Sequence, residues 1–168
     1  MSRGMRLLKL LKSAMLYGAL CFLLVLITST ILRVVIFDFD VIRAIDKALS
    51  LGAKGRISPP LIISSIFVSP IVETTIFPAM HWIVSKIPAL RGRIIGYVCT
   101  FLSIALGFYL HGGGASGVGR GLAFGALGWL YSSRKQNEEF LPYLTAVLAH
   151  CIWNVFGLMA VFTWQLFA

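Results

Sequence analysis

Four polar side chains stand inside apolar stretches of this chain: Glu73, His111, His150 and Asn154. A charge at mid-membrane costs about 2.5–3.5 kcal/mol on insertion scales, so such groups are kept for a partner or a task. Glu73 is the sole carboxylate between Asp46 and Glu138, in the run PLIISSIFVSPIVETTIFPAMHWIV. An ionised carboxylate there must be paired, solvated or protonated, and a carboxylate beside water in such surroundings suits a general base. His150 and Asn154 are four residues apart, which puts both on one face of a helix, one turn from each other. An imidazole and an amide stacked in this way can aim N–H groups at one oxygen. Together these residues describe a reaction: a water activated by Glu73 attacks a peptide carbonyl, and His150 and Asn154 hold the resulting oxyanion.

Other uses of the same side chains are open. His111 ends an apolar span just before three glycines, a place where an interfacial histidine also sits, although HGGG would let backbone approach a substrate. His81, beside Trp82 at a span's end, reads as an interfacial anchor. Glu73, His111 and His150 have the donor types of a hydrolytic zinc site, without an HExxH motif to support one. The His150–Asn154 pair can equally be a polar clamp between helices, worth about 0.6–2 kcal/mol in a membrane. An immunity or scaffold protein that uses the cluster only to fix helix packing is the non-enzymatic alternative.

The elements that position these residues are transmembrane helices. Only 12% of the 168 residues are charged and 58% are hydrophobic, about half the charge of a soluble domain. Crossing a hydrocarbon core of about 30 Å takes about 20 helical residues. Five runs qualify as crossings: Ser13 to Phe37, Leu61 to Val84, Ile94 to His111, a shorter glycine-rich run from Val118 to Tyr131, and Leu141 to Phe167. The first run follows four basic residues and is too long for a signal peptide's apolar region, so a retained helix is expected. Between Phe37 and Pro60, apolar residues at helical spacing alternate with Arg43, Asp46 and Lys47, the pattern of an amphipathic helix in the interface. Pro70 and Pro78 bracket Glu73 and are expected to bend its helix, since each removes a backbone donor. The expected fold is all-α: a polytopic membrane bundle of about five transmembrane helices plus one interfacial helix, forming a single domain over residues 1–168.

The formal net charge of +9 does not point to nucleic acid, because the fifteen basic residues are spread over termini and loops rather than gathered on one face. Basic loops and anionic lipid head groups explain it through topology. The positive-inside rule puts the N-terminus and the loops around Arg91 and Arg134 inside, and the C-terminus outside. Gly121 and Gly125 form a GxxxG, read as internal helix packing. Cys21, Cys99 and Cys151 read as small buried hydrophobes, with no CxxC and no disulfide framework.

The order of these residues resembles the CAAX protease and bacteriocin-processing family, also called the abortive-infection family, whose members are intramembrane proteases similar to the Ras-converting CAAX protease. Its first motif is EExxxR, often after Pro-Ile. Pro70-Ile71-Val72-Glu73-Thr74 matches that context, with Thr74 at the second glutamate and Pro78 at the arginine. Its second motif is FxxxH, where His111 supplies the histidine and Gly107 occupies the Phe position. Its third is HxxxN or HxxxD, matched by His150-Cys-Ile-Trp-Asn154. The resemblance spans about Ser69 to Phe156, with a family-like core at 61–167. It implies a glutamic endopeptidase in which Glu73 activates water with the help of His111, while His150 and Asn154 bind the oxyanion. It further implies no cofactor and no metal, a membrane-associated peptide or lipid-modified protein tail as substrate, membrane lipids as surroundings, no nucleic-acid partner, and the cell membrane of a prokaryote as location. The departures at Thr74, Pro78 and Gly107 leave a degenerate, non-catalytic relative as the alternative.

Overall fold

The computed structural model describes residues 3–37, 59–111 and 114–167, and among these there is no β-strand. Helix α1 (Arg3–Phe37) is followed by a broken helix made of α2 (Pro59–Ile63), a π-helical turn (Ser64–Val68), α3 (Ser69–Thr74) and α4 (Ile76–Ser85). Then come α5 (Arg93–Leu110), α6 (Gly114–Gln136) and α7 (Pro142–Phe167). The interfacial helix expected between Phe37 and Pro60 falls almost wholly on residues outside those described.

Four helical stretches are long and apolar enough to cross a membrane: Gly4–Leu32, Ser64–Ser85, Arg93–Leu110 and Pro142–Thr163. The protein is a helical membrane bundle. Helix α1 starts ten residues before the apolar run read from sequence, taking in Arg3, Arg6, Lys9 and Lys12. Arg, Lys, Leu and Met are strong helix formers, and long basic side chains reach polar surroundings while their stems lie on apolar surface. Many large residues of α1 face outward, with Leu16 67% and Ile27 53% exposed, whereas Leu10 is buried. Its small residues face inward: Ala14 and Cys21 are fully buried, and a Cβ at Gly18 would lie 2.6 Å from the Ile152 side chain of α7.

The fourth crossing, α6, is not among these four apolar spans, yet it is the centre of the bundle. Ala123, Phe124 and Leu127 are fully buried and Leu130 nearly so, and α6 packs against α1, α5 and α7. A helix wrapped by other helices meets little lipid, so close approach matters more there than hydropathy. Gly121 abuts the Ile104 carbonyl of α5, Gly125 the Ile104 side chain, and Gly128 the Ser103 hydroxyl. The GxxxG is thus spent on internal packing.

The segment SSRKQNEE, read from sequence as a polar loop, is helical as far as Gln136. Arg134 is only 5% exposed. It donates to Ser13 Oγ of α1 at 3.0 Å and pairs with Glu139 at 3.2 Å. Glu139 also meets Lys9 at 3.4 Å. Gln136 Nε2 donates to the Gly92 carbonyl at 3.0 Å. These contacts gather the start of α1, the α4–α5 loop and the α6–α7 loop at one end of the bundle, the arrangement that five crossings require. All three cysteines are free and buried.

Gly125→Leu is expected to overpack the α5–α6 contact and to lower stability by about 1–3 kcal/mol. Gly157→Ala, where a Cβ meets nothing within 4 Å, is expected not to lower it. Thermal unfolding in detergent, with helicity and monodispersity as readouts, compares the two; equal midpoints would remove close packing at Gly125 from the account.

Candidate functional site

The site is built around the two breaks in the second span. In the π turn the Ser69 N–H bonds the Ser64 carbonyl, five residues back. The next donor in that register belongs to Pro70, which has no N–H, so the Ser65 carbonyl is left open. Asn154 of α7 fills it, donating from Nδ2 at 2.7 Å. At the other break the Thr75 N–H turns to the Val72 carbonyl at 3.3 Å instead of reaching Ile71. The Ile71 carbonyl receives the Tyr143 hydroxyl of α7 at 3.1 Å. Tyr143, His150 and Asn154 are spaced by seven and four residues, so they share one face of α7. That face lies along the broken helix.

Between the two breaks Glu73 reaches into a cavity of about 440 Å³. Its polar wall carries Ser69, Glu73, His111, Arg120, His150 and Asn154, and its apolar wall comes from Phe22, Val25 and Leu26 of α1 with Leu158 and Val161 of α7. The four residues singled out from sequence therefore line one cavity, although three separate spans supply them. Ser69 donates its hydroxyl to Glu73 Oε1. Glu73 Oε2 lies 3.7 Å from His150 Nε2 and 4.0 Å from His111 Nε2. Both Glu73 Oε2 and His111 Nε2 are buried without a hydrogen-bond partner. Their separation is too long for a direct bond, and an oxygen atom at about 2.8 Å from each fits between them. Asn154 has a second amide N–H beyond the one given to Ser65.

Aromatic rings hold the two imidazoles. Phe124 of α6, fully buried, stands edge-on to both, 5.4 Å from His111 and 5.4 Å from His150. Trp153 stacks on His150 at 5.0 Å with the planes 20° apart. This arrangement accounts for Gly107, the position at which the second motif has Phe. A Cβ there would lie 2.6 Å from the Phe124 Cβ, so Phe124 already occupies the space. Thr74, at the position of the motif's second glutamate, is fully buried and donates its hydroxyl to the Pro70 carbonyl of its own helix.

His81 lies outside the cavity and packs edge-on against Tyr131 at 5.9 Å, with Nε2 buried and unbonded. It is a packed residue rather than an anchor reaching into the interface. Glu73, His111 and His150 have donor types that zinc accepts, yet among the described residues no group of three or more His, Cys, Asp or Glu is arranged to hold a metal ion. Four contributors were not picked out from sequence. Ser69 precedes Glu73 by one helical turn and Tyr143 precedes His150 by two, so their spacing was a usable signal. Phe124 and Trp153 carried none, because an apolar residue in an apolar helix does not reveal which ring it will meet. No family model matches the chain, and neither a curated protein nor a solved structure matches it.

Asn154→Leu is expected to leave the Ser65 carbonyl unpaired and to cost about 1–3 kcal/mol. Tyr143→Phe is expected to cost less, because its bond to Ile71 is exposed whereas that of Asn154 is partly buried. Thermal midpoints of the two variants in one detergent check the order, and a reversed order would show that Asn154 does not hold the π turn.

Proposed function

We propose that this protein is an intramembrane endopeptidase that hydrolyses a peptide bond with a water activated by Glu73. The observation that carries the reading is the oxygen-sized gap bounded by Glu73 Oε2 and His111 Nε2, both buried and unpartnered, with His150 Nε2 3.7 Å from the same carboxylate oxygen. A water in that gap would be within reach of a base and a donor at once, which is what general acid–base catalysis needs. Glu73 takes the water's proton, with Ser69 fixing the other carboxylate oxygen. His111 orients the water. His150 and the second N–H of Asn154 are donors for the oxyanion that forms on the attacked carbonyl.

The apolar wall suits a substrate delivered from the bilayer: the tail of a lipid-modified protein, or a leader or membrane-protein segment. The resemblance to CAAX-type intramembrane proteases supports the same reading, with the cell membrane of a prokaryote as the setting. No cofactor enters the scheme.

A packing clamp in a non-catalytic scaffold or immunity protein is the second reading, favoured by the bond from Asn154 to Ser65. A clamp explains Asn154 and Tyr143. It does not explain why Glu73 Oε2 and His111 Nε2 face each other unbonded, since a clamp gains only from groups that are paired.

Peptide-level mass spectrometry of membranes with and without the protein identifies the cleavage. Glu73→Gln, which keeps shape but cannot accept a proton, is expected to reduce it by about 10²–10⁴-fold while the protein stays folded. His150→Ala is expected to cost about 10²–10³-fold. Chelators are expected to have little effect, whereas a zinc enzyme would stop and recover with added zinc. Full turnover in folded Glu73→Gln defeats the reading. If no cleavage depends on the protein and these substitutions change only its stability, the clamp stands.

A further inference from the structure

Among the described residues Arg120, contributed by α6, is the one cation on the cavity wall. Its guanidinium NH1 lies 3.5 Å from Nδ1 of His111. An arginine offers five N–H donors and no acceptor. A ring nitrogen facing it must therefore present a lone pair, because an N–H there would point at another N–H. A neutral imidazole with its lone pair on Nδ1 carries its proton on Nε2. Nε2 is the atom that faces Glu73 Oε2 across 4.0 Å. Phe124 packs edge-on against the same ring.

We propose that Arg120 is a positioning residue that fixes His111 as the Nε2–H tautomer, and that it thereby makes Glu73 the proton acceptor of the pair. The proposal rests on the protease reading for its catalytic meaning, though not for its geometry. In this tautomer His111 can only donate to the oxygen in the gap. That oxygen must then donate its own hydrogen to Glu73 Oε2, and its free lone pair is left for the carbonyl carbon. On attack the water's O–H bond breaks, the proton passes to Glu73, the new C–O bond forms, and the carbonyl electron pair moves to the oxyanion. His111 keeps its proton throughout. In the other tautomer His111 would present a lone pair to the same water and compete with Glu73. A catalytic histidine in the wrong tautomer costs about 10⁴-fold in serine proteases.

The test reads the tautomer directly. The chain has three histidines, so protein labelled with ¹⁵N in histidine side chains gives few signals in detergent micelles, and a His111→Gln sample assigns those of His111. Ring nitrogens with and without a proton differ widely in ¹⁵N shift. The wild-type protein is expected to show a lone pair on His111 Nδ1 and a proton on Nε2. Arg120→Lys, also a pure donor, is expected to keep this pattern. Arg120→Glu, a pure acceptor, is expected to move the proton to Nδ1, and Arg120→Ala to give a mixture. Arg120 is exposed, and thermal midpoints verify that the variants fold. A wild-type His111 protonated on Nδ1, or one pattern shared by wild type, Arg120→Ala and Arg120→Glu, overturns the proposal.

A turnover arm separates the two readings. With cleavage established, Arg120→Lys is expected to stay near wild type and Arg120→Glu to lose about 10²–10³-fold, the worth of one lost donor. The expected ¹⁵N pattern in a protein without any cleavage supports the tautomer and defeats the protease. Cleavage indifferent to Arg120→Glu, with the tautomer moved, defeats the role given to His111.

Discussion

Two carbonyl oxygens, those of Ser65 and Ile71, determine how the helices of this protein meet. In hydrocarbon there is no water to bond a released backbone group, so each must be satisfied from within the protein. The missing N–H of Pro70 leaves the first open and the turn of the Thr75 N–H to Val72 leaves the second, and one face of α7 satisfies both, through Asn154 at 2.7 Å and Tyr143 at 3.1 Å. Eleven residues separate those two side chains, three turns of helix, and the two bonds fix the height and the rotation of α7 against the broken helix. His150 lies between them on the same face. Its approach to Glu73 follows from the way the backbone is repaired, and the geometry of the cavity is inherited from it.

The remaining walls depend on this register in turn. Phe124 touches His111, His150, Trp153 and Phe77, so a single buried ring of α6 connects the second, third and fifth crossings. It can reach them because α6 lies close to α5, with glycines where their surfaces meet. At the opposite end, Arg134, Glu139, Lys9 and Ser13 tie α1 to α6. The protein thus has a polar knot at the loop end, held by the ion pairs of Glu139 with Lys9 and Arg134, and a second polar cluster at the cavity, where Glu73 Oε2 and His111 Nε2 face each other unbonded.

The all-α membrane architecture was legible because lipid imposes long apolar runs and polar loops. Glu73, His111, His150 and Asn154 were legible because a polar group in such a run is conspicuous. What stayed hidden was whatever depends on the third dimension. The π turn could not be read, since it follows from the coincidence of a five-residue register with Pro70. The bond of Asn154 to a backbone oxygen was equally hidden, since a sequence does not say which carbonyls are open. The burial of Arg134 contradicts its look as a loop cation, because the charge of Glu139 five residues on is what permits it. The centrality of α6 is nearly invisible in hydropathy. Its glycines and Arg120 depress its mean value, while its neighbours relieve it of any need to face lipid.

Helix α1 makes its principal contacts with α6 and α7, the last two helices of the chain. A ribosome therefore delivers the first helix long before its neighbours exist. Independently stable spanning helices assemble in the bilayer after insertion, and α1 must wait there as a solitary span while roughly a hundred further residues are made. Its composition suits that interval, with apolar side chains on its outward face and an inward face of apolar and small residues such as Leu10, Ala14 and Cys21. The closing event of assembly is the arrival of α6 and α7 against it, which completes the cavity wall at Phe22, Val25 and Leu26. A chain truncated before α6 would have no site, so the cavity exists only once α6 and α7 have joined the bundle.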